Sequence, residues 1–224
     1  MTVSVIVPAY NEEKYIRTCL EALIHQDEKP DEIVVVDNNC TDHTAQIAQE
    51  FPITILKEEK QGMISARNAG FNHADGDIIA RCDADVIVPV DWIKKIKNNF
   101  EDETIDALTG PACFYDLFLA NKTIVPFLLY HYALRLFLGH HVLAGPNMIV
   151  SKQIWNKIKQ EVCRDGSIVH EDIDLSLHIQ KYGRIRFDPN LVVKVSGRRI
   201  KYNPFSFFIE YPSRLIQTLR IHQA

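Results

Sequence analysis

Asp83 and Asp85, with Ala84 between them, follow an apolar run in "IIARCDADVIVP". Just past a strand end the chain can turn two such carboxylates onto one cation. Mg²⁺ and Mn²⁺ favour oxygen ligands of this kind and often share them with phosphate. A solvated acidic turn would use the same residues. So would a phosphoryl-transfer pair, with Asp83 as nucleophile and Asp85 as acid and base. Asp37 closes the run "VVVD", where a carboxylate can accept from a nucleoside or cap a strand end. Arg67 follows "QG"; its fork suits phosphate oxygens, or it is a surface arginine. Glu171 and Asp172 follow His170; a carboxylate there can take the proton of an attacking hydroxyl, or open a helix. Arg198 and Arg199 either bind phosphate or are solvated.

These residues need elements to hold them. Val3 to Val7 reads as a strand stopped by Pro8. Tyr15, Ile16, Cys19, Leu20, Leu23 and Ile24 recur at helical spacing, with Asn11 as the expected N-cap of a helix beginning at Glu12. Ile33 to Val36 is β-branched and predicts a buried parallel strand. A helix is expected over 41–50, a strand over 53–56, a helix over 63–73, and a strand at "DIIARC". Alternating strands and helices define an α/β fold with a mostly parallel central sheet and flanking helices. Ligands in such sheets bind beyond the carboxyl ends of the strands, where Asp37, Asp83 and Asp85 fall. In the second half, 105–108 predicts a strand and 124–138 a buried helix. "HEDIDLSLHIQKYG" stays open. Ile173, Leu175, Leu177 and Ile179 alternate as in a strand, while as a helix they form two opposed stripes.

The bulk composition narrows the function. With 224 residues, 46% of them hydrophobic, the chain can bury one sizeable core. A formal net charge of −4 leaves no footprint for nucleic acid. The five cysteines are scattered without a CxxC, which fits a reducing compartment and argues against zinc. "MTVSVIVPAY" lacks the basic start of a signal peptide, and 124–138 is too short and polar to span a bilayer. A cytoplasmic protein is expected, with peripheral contact at the inner face of a membrane. No GxGxxG follows the first strand, which disfavours a nicotinamide dehydrogenase.

In order, "VSVIVPAYNEEKYI", "EIVVVDNNCTDHT", "GMISARNAG", "ARCDADV" and "HEDIDLSLHIQKYGRIRF" resemble the family 2 glycosyltransferases, which have the A-type glycosyltransferase fold. The resemblance runs from about residue 3 to about residue 200. It implies that Pro8, Tyr10, Glu12 and Asp37 line a nucleoside pocket and that Arg67 lies near the base or diphosphate. Asp83, Ala84 and Asp85 would be the DxD, its two carboxylates holding Mn²⁺ or Mg²⁺. Asp172 would be the catalytic base, with Glu171 next in line, and the open stretch becomes a helix. Arg198 and Arg199 would meet the diphosphate, and Gly145, Pro146 and Asn147 would shape the acceptor pocket.

The implied organisation is a catalytic domain over 1–200, with a nucleotide half to about 110 and an acceptor half after it. An amphipathic tail over 201–224 follows. The implied reaction is an inverting, metal-dependent transfer of one sugar, from a UDP-sugar first and a GDP-sugar second. The acceptor would be a glycan or lipid-linked hydroxyl in cell-surface synthesis. Processive members carry QxxRW and membrane spans; neither Trp92 nor Trp155 lies in such a motif. A non-catalytic nucleotide-sugar binder and a phosphotransferase of the haloacid dehalogenase type are the rival readings. In the tail, Phe205, Phe208, Ile209, Pro212, Leu215, Ile216 and Leu219 fall on one stripe among basic residues, the pattern of an interfacial helix or of one that packs on the domain or on a partner subunit.

Overall fold

The computed structural model describes residues 1–117, 123–165, 169–203, 205 and 211–223. In chain order the first half holds β1 (Val3–Ala9), α1 (Ile16–Ile24), β2 (Glu32–Asp37), α2 (Thr44–Ala48), β3 (Thr54–Lys57), α3 (Met63–His73) and β4 (Ile78–Arg81). There follow β5 (Val86–Ile87), α4 (Trp92–Phe100), β6 (Ala107–Thr109), β7 (Ala112–Phe114), α5 (Val125–Leu138) and β8 (Met148–Ser151). The chain then forms α6 (Lys152–Ile158), α7 (Glu171–Gln180), β9 (Ile185–Phe187), β10 (Val193–Val195), α8 (Arg198–Tyr202) and α9 (Tyr211–Gln223).

A seven-stranded sheet runs β3-β2-β1-β4-β8-β6-β9. The first four strands are parallel; β8 is antiparallel to both neighbours, and β6 pairs parallel with β9. Strands from both halves of the chain therefore share one sheet. A small sheet, β5-β10-β7, sits just after the carboxylate pair. Its strands are two or three residues long, too short for their periodicity to show in sequence.

The pleat of β1 explains the layering. Val3, Val5 and Val7 face one side, with Ile16, Leu20 and Leu23 of α1 and Trp92 and Ile96 of α4. Ile6 faces the other, with Ala66 and Phe71 of α3, Trp155 of α6 and Leu175 of α7. Gly70 lets α3 approach: a Cβ there would lie 2.3 Å from the Ile6 Cγ2. The open stretch is a helix. Leu175 and Ile179 of α7 join the sheet cluster, whereas Ile173 and Leu177 join a second one with Leu134 and Val142. Burial on both sides produced the strand-like alternation.

Three expectations are corrected. Asn11 does not cap α1: it sits at φ 56, and α1 begins only at Ile16. Its Oδ1 instead accepts from the Thr41 N–H at 2.8 Å. α5 is not buried, because only His131 and Leu134 are covered while Leu129, Leu136 and Phe137 are 70%, 88% and 70% exposed. The tail helix α9 does not present its stripe as drawn. Thr218 is its fully buried residue, Leu215 packs on the Leu134 and Ile173 cluster, and Ile216 is exposed. Phe208 and Ile209 lie outside the described residues. No helix among the described residues is long and apolar enough to cross a membrane.

Candidate active site

The order β2-β1-β4 reverses between β1 and β4, so the crevice beyond their carboxyl ends is the expected ligand position. In register, Ala9 stands opposite Asp37 and Ile6 opposite Arg81, so the chain after each strand enters this crevice. Pro8 is buried in β1, and Tyr10, 51% exposed, is the first residue out. Asp37 accepts from the Cys40 N–H at 2.9 Å. Beside it, buried Asn38 donates to Glu58 O and Lys60 O and accepts from the Gly62 N–H. Asn38 thus clamps the loop leading into α3, a role the sequence reading passed over.

The carboxylate pair is held from both sides by arginines. Arg81, 2% exposed, donates from Nη2 to Asp83 Oδ1 at 2.8 Å and from Nη1 to Glu171. Arg198 forms a bidentate pair with Glu12 and places Nε 2.9 Å from Asp85 Oδ2, its guanidinium 4.7 Å from the Tyr15 ring centre. Ala84 is buried between the two carboxylates. Burial first, then the Asp83 charge, pushes the Asp85 carboxyl up to about 6 against the pull of Arg198 and Arg199.

Arg81 is the main residue that sequence reasoning missed. A charged residue ending the apolar run "IIAR" must find partners inside, and that was the available signal. Arg67 was expected beside the base or diphosphate. It is instead fully buried, donates to Asn68 Oδ1 at 3.0 and 2.9 Å, and brings Nη1 to 3.3 Å from Glu171 Oε1. Arg67 Nη1 and Arg81 Nε make no hydrogen bond among the described residues.

α7 carries Glu171 and Asp172 to this crevice from far along the chain. Glu171 lies between Arg81 and Arg67, and burial pushes its carboxyl up against their pull. Asp172 is partly exposed, and its Oδ2 accepts from the Gly145 N–H at 2.8 Å. A Cβ on Gly145 would lie 3.3 Å from Asp172 Oδ1 and 3.4 Å from Arg81 Nη2, so that loop backbone lines the site. Pro146 is partly exposed next to it. Asn147 was expected in an acceptor pocket but faces inward, donating to Leu191 O and accepting from the Trp92 indole.

The larger surface concavity, lined by Ile24, Pro30, Glu32, Phe51 and Thr54, lies at the amino ends of β2 and β3, away from all of these groups. A smaller cleft lined by Tyr15, Cys19, Asp85, Ile87 and Tyr115 opens beside Asp85. Separately, Asp174, His178 and His222 come within 4.8 Å of one another where α9 meets α7. There His222 Nε2 lies 2.9 Å from Asp174 Oδ1, clasping the tail to the domain.

The chain belongs to the Glycosyl transferase family 2, whose family model matches residues 4–158. This membership sets aside the dehalogenase-type reading. Among curated proteins it is similar to Glycosyltransferase GlyA of Streptococcus pneumoniae, 34% identical over 113 residues, or 48% of this chain and 16% of that protein. The chain spans less than half the length of the first curated relatives it matches. Its fold is that of nucleotide-sugar transferases. Mannosyltransferase PcManGT from Pyrobaculum calidifontis, solved with GDP-Man and Mn²⁺, superposes with a TM-score of 0.77 at 23% identity, covering 98% of this chain and 63% of that one. Glucosyl-3-phosphoglycerate synthase from Mycobacterium tuberculosis, solved with Mn²⁺, UDP and glucosyl-3-phosphoglycerate, gives 0.70 at 18%, covering 97% and 78%.

Proposed function

We propose that this chain transfers a single sugar from a nucleotide-diphosphate sugar to an acceptor hydroxyl, inverting the anomeric centre, in the synthesis of a cell-surface glycan or glycolipid. One observation carries the reading. α7 delivers Asp172 to the same crevice that receives Asp37, Asp83 and Asp85 from the ends of β2 and β4. Pro8, Tyr10, Glu12 and Asp37 would receive the nucleoside; a UDP-sugar is the first donor to test and a GDP-sugar the second.

The donor set suits a hard divalent ion. Asp83 and Asp85 offer carboxylate oxygens; burial first, then the Asp83 charge, raises Asp85, and a cation between the two would offset that second cause. Mn²⁺ or Mg²⁺ bound there would supply charge stabilisation for the departing diphosphate. Arg198 would exchange Asp85 for a phosphate oxygen, with Arg199 close behind. Asp172 would accept the acceptor's proton as its oxygen bonds to the anomeric carbon, while the bond to the diphosphate breaks and its electron pair leaves with the phosphate. The Gly145 N–H orients Asp172 for this. Glu171, committed to Arg81 and Arg67, suits a positioning role better than a base.

The test measures donor binding and nucleoside diphosphate release with Mn²⁺ or EDTA. Asp172→Asn is expected to keep donor binding and lose about 10²–10⁴-fold in turnover. Asp83→Ala with Asp85→Ala is expected to lose the Mn²⁺-dependent gain in donor affinity. Near-normal turnover in Asp172→Asn at unchanged stability removes Asp172 from the role; donor binding without turnover in the native chain leaves a nucleotide-sugar binder.

A further inference from the structure

α5 carries apolar side chains all round its axis, with Arg135 its single Lys or Arg, yet it is not enclosed. Such helices are normally buried in a core or in lipid. Its inner side holds Phe127, His131, Leu134 and Leu138, with His131 stacked on Phe187 at 4.1 Å. Outward, Val125, Leu129, Tyr132 and Leu136 follow one another at steps of four, three and four residues, a continuous stripe. Tyr130 and Phe137 flank it, also exposed. An open apolar face of this length is uncommon on a soluble surface and marks an interaction site.

Charge selects the occupant. In a chain of formal net charge −4, α5 contains no Asp or Glu and a single Lys or Arg, Arg135. Arg135 is exposed on α5 itself. A second copy of the chain would set this acid-free segment against its own image. An anionic lipid surface complements it, and tyrosines suit the boundary between acyl chains and headgroups. At 14 residues α5 is about 21 Å long, too short to cross a hydrocarbon core of about 30 Å, so it would lie in the plane.

The face also adjoins the candidate base. Tyr130 is half exposed, and partial burial, then the Asp172 charge, pushes its phenol up to about 12. The chain leaving α5 reaches Gly145, which binds Asp172, within seven residues.

We propose that the outward face of α5 docks on an anionic membrane surface and presents a lipid-borne acceptor to Asp172. The docking stands on the exposed helix; the acceptor rests on the function proposed above. Both are read in one experiment on the full chain. Flotation uses phosphatidylcholine vesicles with and without phosphatidylglycerol, at low and high salt, beside sedimentation velocity without lipid. The native chain and Asp172→Asn are expected to float with the anionic vesicles alone, more weakly in high salt. Leu129→Ser with Leu136→Ser and Phe137→Ser alters only exposed positions. It is expected to keep its melting temperature and lose at least about tenfold in vesicle binding. Arg135→Glu, a milder change, is expected to weaken binding to anionic vesicles only. Absence of flotation, equal flotation of the triple variant, or a native dimer that the triple variant dissolves without any lipid binding would each overturn the docking. Flotation of a chain that turns over no donor would keep the docking and remove the acceptor role.

Discussion

Replacing Arg81 by Met removes the group that joins Asp83 to Glu171. Breaking a buried ion pair on one side costs about 3–5 kcal/mol, because the other charge stays behind uncompensated. Here Glu171, its side chain 12% exposed, would keep Arg67 at 3.3 Å, and Asp83, 27% exposed, would keep some water. Both facts place the loss at the low end, about 3 kcal/mol. For a chain of this size that is a fall of about 6–12 °C in Tm. Glu171→Gln strands two buried arginines instead, and is expected to cost about 2–3 kcal/mol. The double variant removes both members of the pair, so its loss should fall short of the sum by about 1.5 kcal/mol or more. Urea unfolding of the four proteins at pH 7 measures this cycle. Losses that add to within about 0.5 kcal/mol, or an Arg81→Met loss under about 1 kcal/mol, refute the claim that this arginine anchors the site from β4 to α7.

Two further outcomes follow from the second hydrophobic cluster and the tail. His131 Nε2 lies 2.9 Å from His141 Nδ1, and burial, then neighbouring charge, lowers each from 6.5 to about 4. The unfolded chain thus takes up protons first, so stability is full above pH 6.5 and falls as pH drops toward 4. His131 alone should account for about 2 kcal/mol between pH 8 and pH 5, and urea titrations of the native chain against His131→Phe should show that part of the slope vanish. Ending the chain at Asn203 removes Thr218, whose hydroxyl accepts from the His170 N–H at 2.6 Å, and the His222 contact with Asp174. With a carboxylate 1% exposed left short of a partner, a loss of at least about 1–3 kcal/mol is expected by thermal melting, and an unchanged Tm would show the tail to be mere surface.

What the sequence made legible was local. β2 is a β-branched run ending at Asp37, and α3 runs from Met63 to His73 as its flanking glycine and Ala-Asp-Gly turn suggest; β1 is the expected strand but runs through Pro8 to Ala9, where Pro8 stands in register with Val36, so the expected stop at Pro8 does not hold. Where tertiary packing overrides local pattern, the reading failed. Asn11 has the right side chain for an N-cap but spends it across the crevice on Thr41. α5 has the composition of a core helix, and composition alone does not say whether protein or lipid covers it. Arg67 and Arg81 look alike in one dimension. Only the arrival of Glu171 some 90 positions later shows that both are interior charges sharing a single carboxylate.

The interleaved sheet has a consequence for synthesis. β4 is flanked by β1, which precedes it, and by β8, which is made about 70 residues later. At about 5–20 residues per second, translation leaves that edge unpaired for about 4–14 s. Ile78, Ile79 and Ala80 are fully covered in the finished chain, so throughout this interval a sticky apolar edge lacks its partner. The nascent chain is therefore most exposed to misassociation between the emergence of β4 and that of β8. A synonymous slow codon cluster in that interval should lower the yield of folded protein more than the same cluster placed after residue 151.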